Sequence, residues 1–301
     1  MLITRVCAFF TCLLAFFNIL FAGYIRYYPH NRIFLNQYYT PERSQRQTYD
    51  LVIPKNASGS TGLILCIHGG GWVEGSKDAY TSSLMQASEE KCLAAACMNY
   101  RYVSETTGFD DILDDVSGAL AAIRETGAAC GVSFDRVLLT GISAGGHISL
   151  LYAYTRKDAA PITPVCVVEL CGPTDLEDGF YYSDENSVNH TVGPEYFRNI
   201  ISHGVHYSID PDDLDAAKPA LRQFSSVNFI DKDTVPTVFG HGEQDTIVPY
   251  QNALDLDAKL TACGVEHTFV SFPNSGHGCE DKASVSKIMQ LFFDCAEKYL
   301  K

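Results

Sequence analysis

The chain has 301 residues, with 36 acidic side chains against 22 Lys or Arg, for a formal net charge of −14. No basic stripe offsets that field, so a polyanionic partner such as nucleic acid is excluded. Hydrophobic residues at 46% and charged residues at 19% exclude a disordered or collagen-like chain, and the length suits one large domain or at most two. The eleven cysteines are an odd number without a CxxC, a pattern that supports neither a zinc site nor a disulfide framework. Cys66, Cys97 and Cys166 lie inside apolar runs and read as small buried core residues.

In chain order, the first feature is a run of 20 uncharged residues, 6–25, between Arg5 and Arg26. As a helix it would span roughly 30 Å, about a bilayer core, and Tyr24, Tyr27 and Tyr28 suit an interfacial belt. Residues 1–28 are therefore expected to form a membrane anchor, with a cleaved signal peptide as the alternative. Leu20-Phe21-Ala22 is a poor cleavage site, which favours the anchor. Arg26, Arg32, Arg43 and Arg46 outnumber Arg5, which favours a cytoplasmic side for the rest of the chain. Asn56-Ala57-Ser58 and Asn189-His190-Thr191 fit the glycosylation sequon, a common triplet.

From residue 47 onward, short apolar runs alternate with helical patterns up to residue 301, which reads as one α/β domain. Residues 49–53 form an edge strand closed by Pro54, and 63–67 a strand covered on both faces. A helix over 79–92 and a strand over 94–98 follow. The stripe Ile112, Leu113, Val116, Ala119, Leu120 and Ile123 predicts a helix over 110–126 stopped by Gly127. Strands are expected at 137–139, 165–168, 235–239 and 267–272, and helices at 143–154 and 283–300. Such alternation means a mostly parallel sheet with helices on both faces. Residues 176–232 break the rhythm, with eight Phe or Tyr, ten acidic residues and four basic ones. So long a stretch without a strand predicts an inserted lid with helices of its own, either a solvated acidic excursion or a wall of a substrate pocket.

Four motifs carry chemistry. Gly141-Ile142-Ser143-Ala144-Gly145 lies between a strand and a helix, where a serine on a sharp turn needs small neighbours and gains the positive end of the helix dipole. His68-Gly69-Gly70-Gly71-Trp72 follows a strand and leaves bare N–H groups able to close on a ligand oxygen, the requirement for an oxyanion hole. Trp72 either walls the acyl site or packs the core. After the 235–239 strand, Asp245, with Glu243 as fallback, is the acid to orient an imidazole. His277 sits in a Gly-flanked loop after the last strand and is the expected base; His241 is the runner-up. The order Ser143, Asp245, His277 is that of α/β-hydrolases.

These motifs, with Tyr100-Arg101, Gly172-Pro173-Thr174-Asp175 and Val248-Pro249, resemble the hormone-sensitive-lipase-like esterases of the α/β-hydrolase fold, close to bacterial acetyl esterases. The likeness covers 47–301. It implies an ester hydrolase with Ser143 as nucleophile, His277 as base and Asp245 as its orienter. Gly70, Gly71 and Ala144 would form the oxyanion hole. Ile142 stands where many relatives carry an acid, which bears on substrate preference. The resemblance implies a small-molecule ester substrate and no metal or cofactor. A peptidase or arylformamidase on the same triad, or a non-catalytic binding module, are the alternatives.

Overall fold

A computed structural model of the protein describes residues 31–301 apart from residue 194. The segment expected to form a membrane anchor lies outside the described residues. Among the described residues, no helix is long and apolar enough to cross a membrane.

Eight strands form one sheet in the order β1-β2-β4-β3-β5-β6-β7-β8. They are β1 (Arg32–Tyr38), β2 (Thr48–Ile53), β3 (Gly59–Ile67), β4 (Ala94–Met98), β5 (Val132–Ile142), β6 (Thr163–Leu170), β7 (Thr237–Gly242) and β8 (His267–Phe272). The pairs from β4 through β8 are parallel, whereas β1–β2 and β2–β4 are antiparallel. The mostly parallel sheet thus agrees with the sequence reading, with two corrections. Residues 49–53 are not at the edge: every residue of β2 is buried, and β1, unforeseen, takes the edge position. Gly127 does not end its helix, which runs from Phe109 to Ala129. A side chain at Gly127 would strike the Phe134 ring, so glycine serves close packing there.

The helices are α1 (Asp78–Lys91), α2 (Phe109–Ala129), α3 (Ala144–Thr155), α4 (Ser187–Val192), α5 (Glu195–Gly204), α6 (Leu214–Arg222), α7 (Tyr250–Cys263) and α8 (Lys282–Leu300). Apolar residues of α2, α3 and α7 share one core cluster with one face of the sheet. Those of α1 and α8 share a second cluster with the other face. The near-continuous apolar strands are the consequence of that double cover.

The stretch 176–232 holds α4, α5 and α6, as expected of an insertion with helices. Half of its aromatics turn inward: Tyr181, Tyr182, Phe197 and Phe224 belong to the main core cluster, whereas Tyr207 and Phe229 are exposed. The Asn189 sequon is closed off, because Asn189 is buried and donates from Nδ2 to the Tyr181 and Ser183 carbonyls. Asn56 is exposed.

Candidate active site

All four motifs lie at the C-terminal ends of parallel strands, where open α/β sheets place their ligand crevice. Ser143 occupies the turn between β5 and α3 with φ of 56°, a left-handed conformation that costs a non-glycine residue. Its neighbours explain why the turn can be so tight. A Cβ at Gly141 would strike the Gly145 backbone, and one at Gly145 would strike the Ile67 and His68 carbonyls. The two glycines therefore let the end of β3 press against the turn. The Ser143 N–H is tied to the Leu170 carbonyl at the end of β6, at 2.8 Å.

His277 Nε2 lies 3.0 Å from Ser143 Oγ, and His277 Nδ1 lies 2.6 Å from Asp245 Oδ2. In this arrangement Nδ1–H donates to the carboxylate and Nε2 is left to accept the serine proton. The other carboxylate oxygen, Oδ1, accepts the N–H groups of Ile247 at 2.8 Å and Val248 at 3.0 Å. His241 adds a second imidazole contact, with Nε2 at 3.2 Å from Asp245 Oδ2 and 3.0 Å from the Val248 carbonyl. Burial by itself would raise the Asp245 pKa. The His277 charge, hydrogen bonds from His241 and His277 and the His241 charge outweigh it and hold the carboxyl well below its usual range. His241, the runner-up base, thus sits on the acid and not on the serine. Glu243, the fallback acid, accepts from Ser271 Oγ at 2.6 Å, away from His277.

The loop after β3 runs beside Ser143, where a Cβ at Gly69 would lie 3.5 Å from the serine Cβ. Gly70 (φ 117°) and Gly71 (φ 56°) take conformations that glycine adopts without penalty. Among the described residues, neither of their N–H groups has a backbone acceptor. Ala144 is the first residue of α3, where a helix leaves its N–H without an intrahelical partner. The loop is braced from below. Arg46 Nη2 lies 3.0 Å from His68 Nε2, and Arg46 also donates to the Tyr100 and Gly75 carbonyls. A guanidinium can only donate, so His68 Nε2 is the acceptor and Nδ1–H donates to the Gly69 carbonyl at 2.8 Å. Burial pushes the His68 ring down to about 3, so it stays neutral in that role. Tyr100 stacks on His68 and its hydroxyl donates to the His68 carbonyl.

Trp72, read as either an acyl-site wall or a core residue, and Ile142, read as bearing on substrate preference, are both buried. Trp72 donates from Nε1 to His147 Nδ1 at 3.1 Å and packs edge-on against Phe109, while His147 Nε2–H donates to the Phe224 carbonyl at 2.8 Å. That chain of contacts joins the glycine loop, the helix after Ser143 and the insertion. Ile142 packs in the cluster beneath α1 and α8, where it lines a cavity of about 80 Å³ together with Glu169 and Ile288. The Tyr100-Arg101 motif is a brace as well, with Arg101 bound to Asp115 and Asp111.

Three contributions escaped the sequence reading. Asn252, on α7, accepts through Oδ1 from the Thr174 and Asp175 N–H groups and the Tyr181 hydroxyl. Glu169 accepts the Gly172 N–H at 2.7 Å while buried, and burial pushes its carboxyl up to about 8. Cys171 places its sulfur among the acid and base: potential metal-ligand atoms of Cys171, Asp245 and His277 all lie within 4.8 Å of one another. Two of those three are already hydrogen-bonded to each other in the Ser143 relay.

The fold is shared with solved hydrolases. Esterase B from Lactobacillus rhamnosis superposes with a TM-score of 0.72 at 20% identity, covering 99% of this chain and 95% of that one. A probable isoprenylcysteine alpha-carbonyl methylesterase from Arabidopsis thaliana is 24% identical over 244 residues, 77% of this chain and 48% of the plant protein. Esterase LipQ from Mycobacterium tuberculosis is 26% identical over 233 residues, 75% of this chain and 52% of its own length. The chain spans about half the length of the curated relatives it matches. The BD-FAE family model matches residues 49–260, a span that includes Ser143 and Asp245 and stops short of His277. On that match the chain belongs to the BD-FAE family of α/β-hydrolases.

Proposed function

We propose that the protein is a serine esterase acting on small neutral carboxylic esters through an acyl-enzyme. The observation that carries this reading is the relay from Ser143 Oγ through His277 to Asp245, at 3.0 and 2.6 Å. His277 Nε2 takes the serine proton as Oγ attacks the ester carbonyl. The N–H groups of Gly70, Gly71 and Ala144 receive the developing oxyanion. The imidazolium, stabilised by the Asp245 carboxylate, then protonates the leaving alcohol. Water, deprotonated by His277, attacks the acyl-serine and releases the acid. No step calls on a metal or cofactor.

The small neutral substrate class is supported by charge and packing. Ten acidic residues against four basic ones in 176–232 repel anionic groups near the crevice. Four of the insertion's aromatics are packed in the main core, which supports a confined acyl pocket. We propose further that the uncharged run 6–25 tethers the domain to a membrane; carbonate extraction of the full-length protein, with mass determination of its N-terminus, tests that.

A fluorophosphonate probe tests the enzyme reading directly. Wild-type protein is expected to label covalently, and Ser143→Ala to lose the label while keeping its circular dichroism and melting temperature. Labelling that persists at another serine overturns the assignment. A series of acyl esters, with amide analogues beside them, tests the substrate class. The expected optimum is a short acyl chain, and an efficiency that climbs past about eight carbons contradicts it.

A further inference from the structure

We propose that Cys171 and Cys279 form a disulfide that staples the loop carrying His277 to the end of β6. The two sulfurs already lie 2.8 Å apart, although 108 residues separate them in sequence. Both residues are buried, at 0% and 2% exposure, and both hold left-handed backbone with φ of 51°. A non-glycine residue adopts that conformation at a cost, so the surrounding structure holds both sulfurs in place. Their positions are specific. Cys171 follows β6 directly, and its N–H is anchored to the Gly240 carbonyl at 2.9 Å. Cys279 stands two residues after His277, in the turn held by its own N–H bond to the Gly276 carbonyl at 3.2 Å. A bond here needs only a short closing movement toward the roughly 2.05 Å of a disulfide. What changes is the freedom of the His277 loop to lift away from the sheet.

The oxidant is a low-molecular-weight disulfide. Burial pushes the Cys171 thiol well above its usual range, which protects it in the closed state, because thiolate is the reacting form. Reaction begins at Cys279, because that residue stands on the His277 loop and moves out with it when the loop opens. Its sulfur, having lost its proton, attacks one sulfur of the oxidant, forming a mixed disulfide and releasing the first small thiol. On reclosing, Cys171 gives up its proton and attacks the Cys279 sulfur, expelling the second small thiol. The two protein sulfurs are oxidised, the two oxidant sulfurs are reduced, and the two protons leave on the released thiols.

The full chain, purified with reductant and then equilibrated with oxidised glutathione, tests this by non-reducing peptide mapping and by melting. The expected results are a linked Cys171–Cys279 peptide and a melting temperature raised by roughly 5–10 °C. Dithiothreitol should reverse the gain, and Cys279→Ala should not show it. Two other outcomes overturn the proposal: Cys171 and Cys279 both alkylated as free thiols after oxidation, or a linked peptide with no rise in melting temperature. The mapping is done on wild-type protein, so it holds even if the variant does not fold. Neither readout depends on turnover, so the staple and the esterase reading fail separately.

Discussion

The two halves of the active site differ in what places their catalytic atoms. On the β3–β5 side, backbone presses on backbone: Gly141 and Gly145 exist so that the Ile67 and His68 carbonyls can approach the Ser143 turn. On the β7–β8 side a glycine joint is present as well, since a Cβ at Gly242 would strike the Ser275 and Gly276 carbonyls, but hydrogen bonds set the catalytic atoms: Asp245 is fixed by two backbone N–H groups and two imidazoles, and His277 by Asp245. A steric joint tolerates almost no added atom, whereas a hydrogen-bonded joint loses function one partner at a time. Damage to the glycine joints should therefore appear as lost stability, and damage to the hydrogen-bonded relay as lost turnover with the fold kept.

The largest effect should come from the hydrogen-bonded side. His277→Ala is expected to lower kcat/KM by about 10⁴-fold or more with little change in melting temperature, because triad members act as a unit. His241→Ala removes one of four contacts on Asp245 and should cost roughly 10-fold. Steady-state kinetics on the two variants breaks the comparison if their order is reversed. At the glycine joint, Gly145→Ala should cost on the order of 3 kcal/mol in denaturant unfolding, since its new methyl meets the backbone carbonyls of Ile67 and His68 where β3 ends.

The most diagnostic effect concerns Glu169, whose buried carboxyl accepts the Gly172 N–H just beyond β6. Its pKa in the folded protein is raised from 4.5 to about 8 by burial, against the favourable His241 charge and the Gly172 bond. Between those values the folded state holds a proton that the unfolded chain has lost. Stability should therefore fall as pH rises from about 4.5 to about 8, and level off above. Glu169→Gln keeps an acceptor for the Gly172 N–H and removes the titration. Its unfolding free energy should lose that slope and exceed wild type at pH 8 by on the order of 2 kcal/mol. Parallel slopes for the two proteins would remove Glu169 from this role.

Much of this was legible in the sequence because the signals are local. Gly141-Ile142-Ser143-Ala144-Gly145 carries its own steric argument, and the apolar runs are the direct record of a sheet covered on both faces. The strand β1 was not legible. Its burial pattern mixes half-buried and exposed residues, so neither a continuous nor an alternating apolar pattern marks it, and Pro54 made its neighbour look like the edge. The direction of the aromatics in 176–232 was not legible either, because composition says that they need burial and not what against. Least visible were Asn252, Glu169 and the Cys171–Cys279 contact. Asn252 and the two cysteines act on partners that only the fold brings near, whereas Glu169 bonds a residue three positions on, and what escaped the sequence reading is its burial.

The position of β1 also sets the mechanical layout of the molecule. It lies at one end of the sheet, and β7, which leads to Asp245, lies six strands away, roughly 29 Å at the usual inter-strand spacing. Whatever is joined ahead of Arg32 enters at the border farthest from the acid and base, and any load on it falls first on the β1–β2 ladder. A linker, label or solid support attached there would leave the crevice unobstructed, and fraying of that border strand would unzip the sheet from its non-catalytic end.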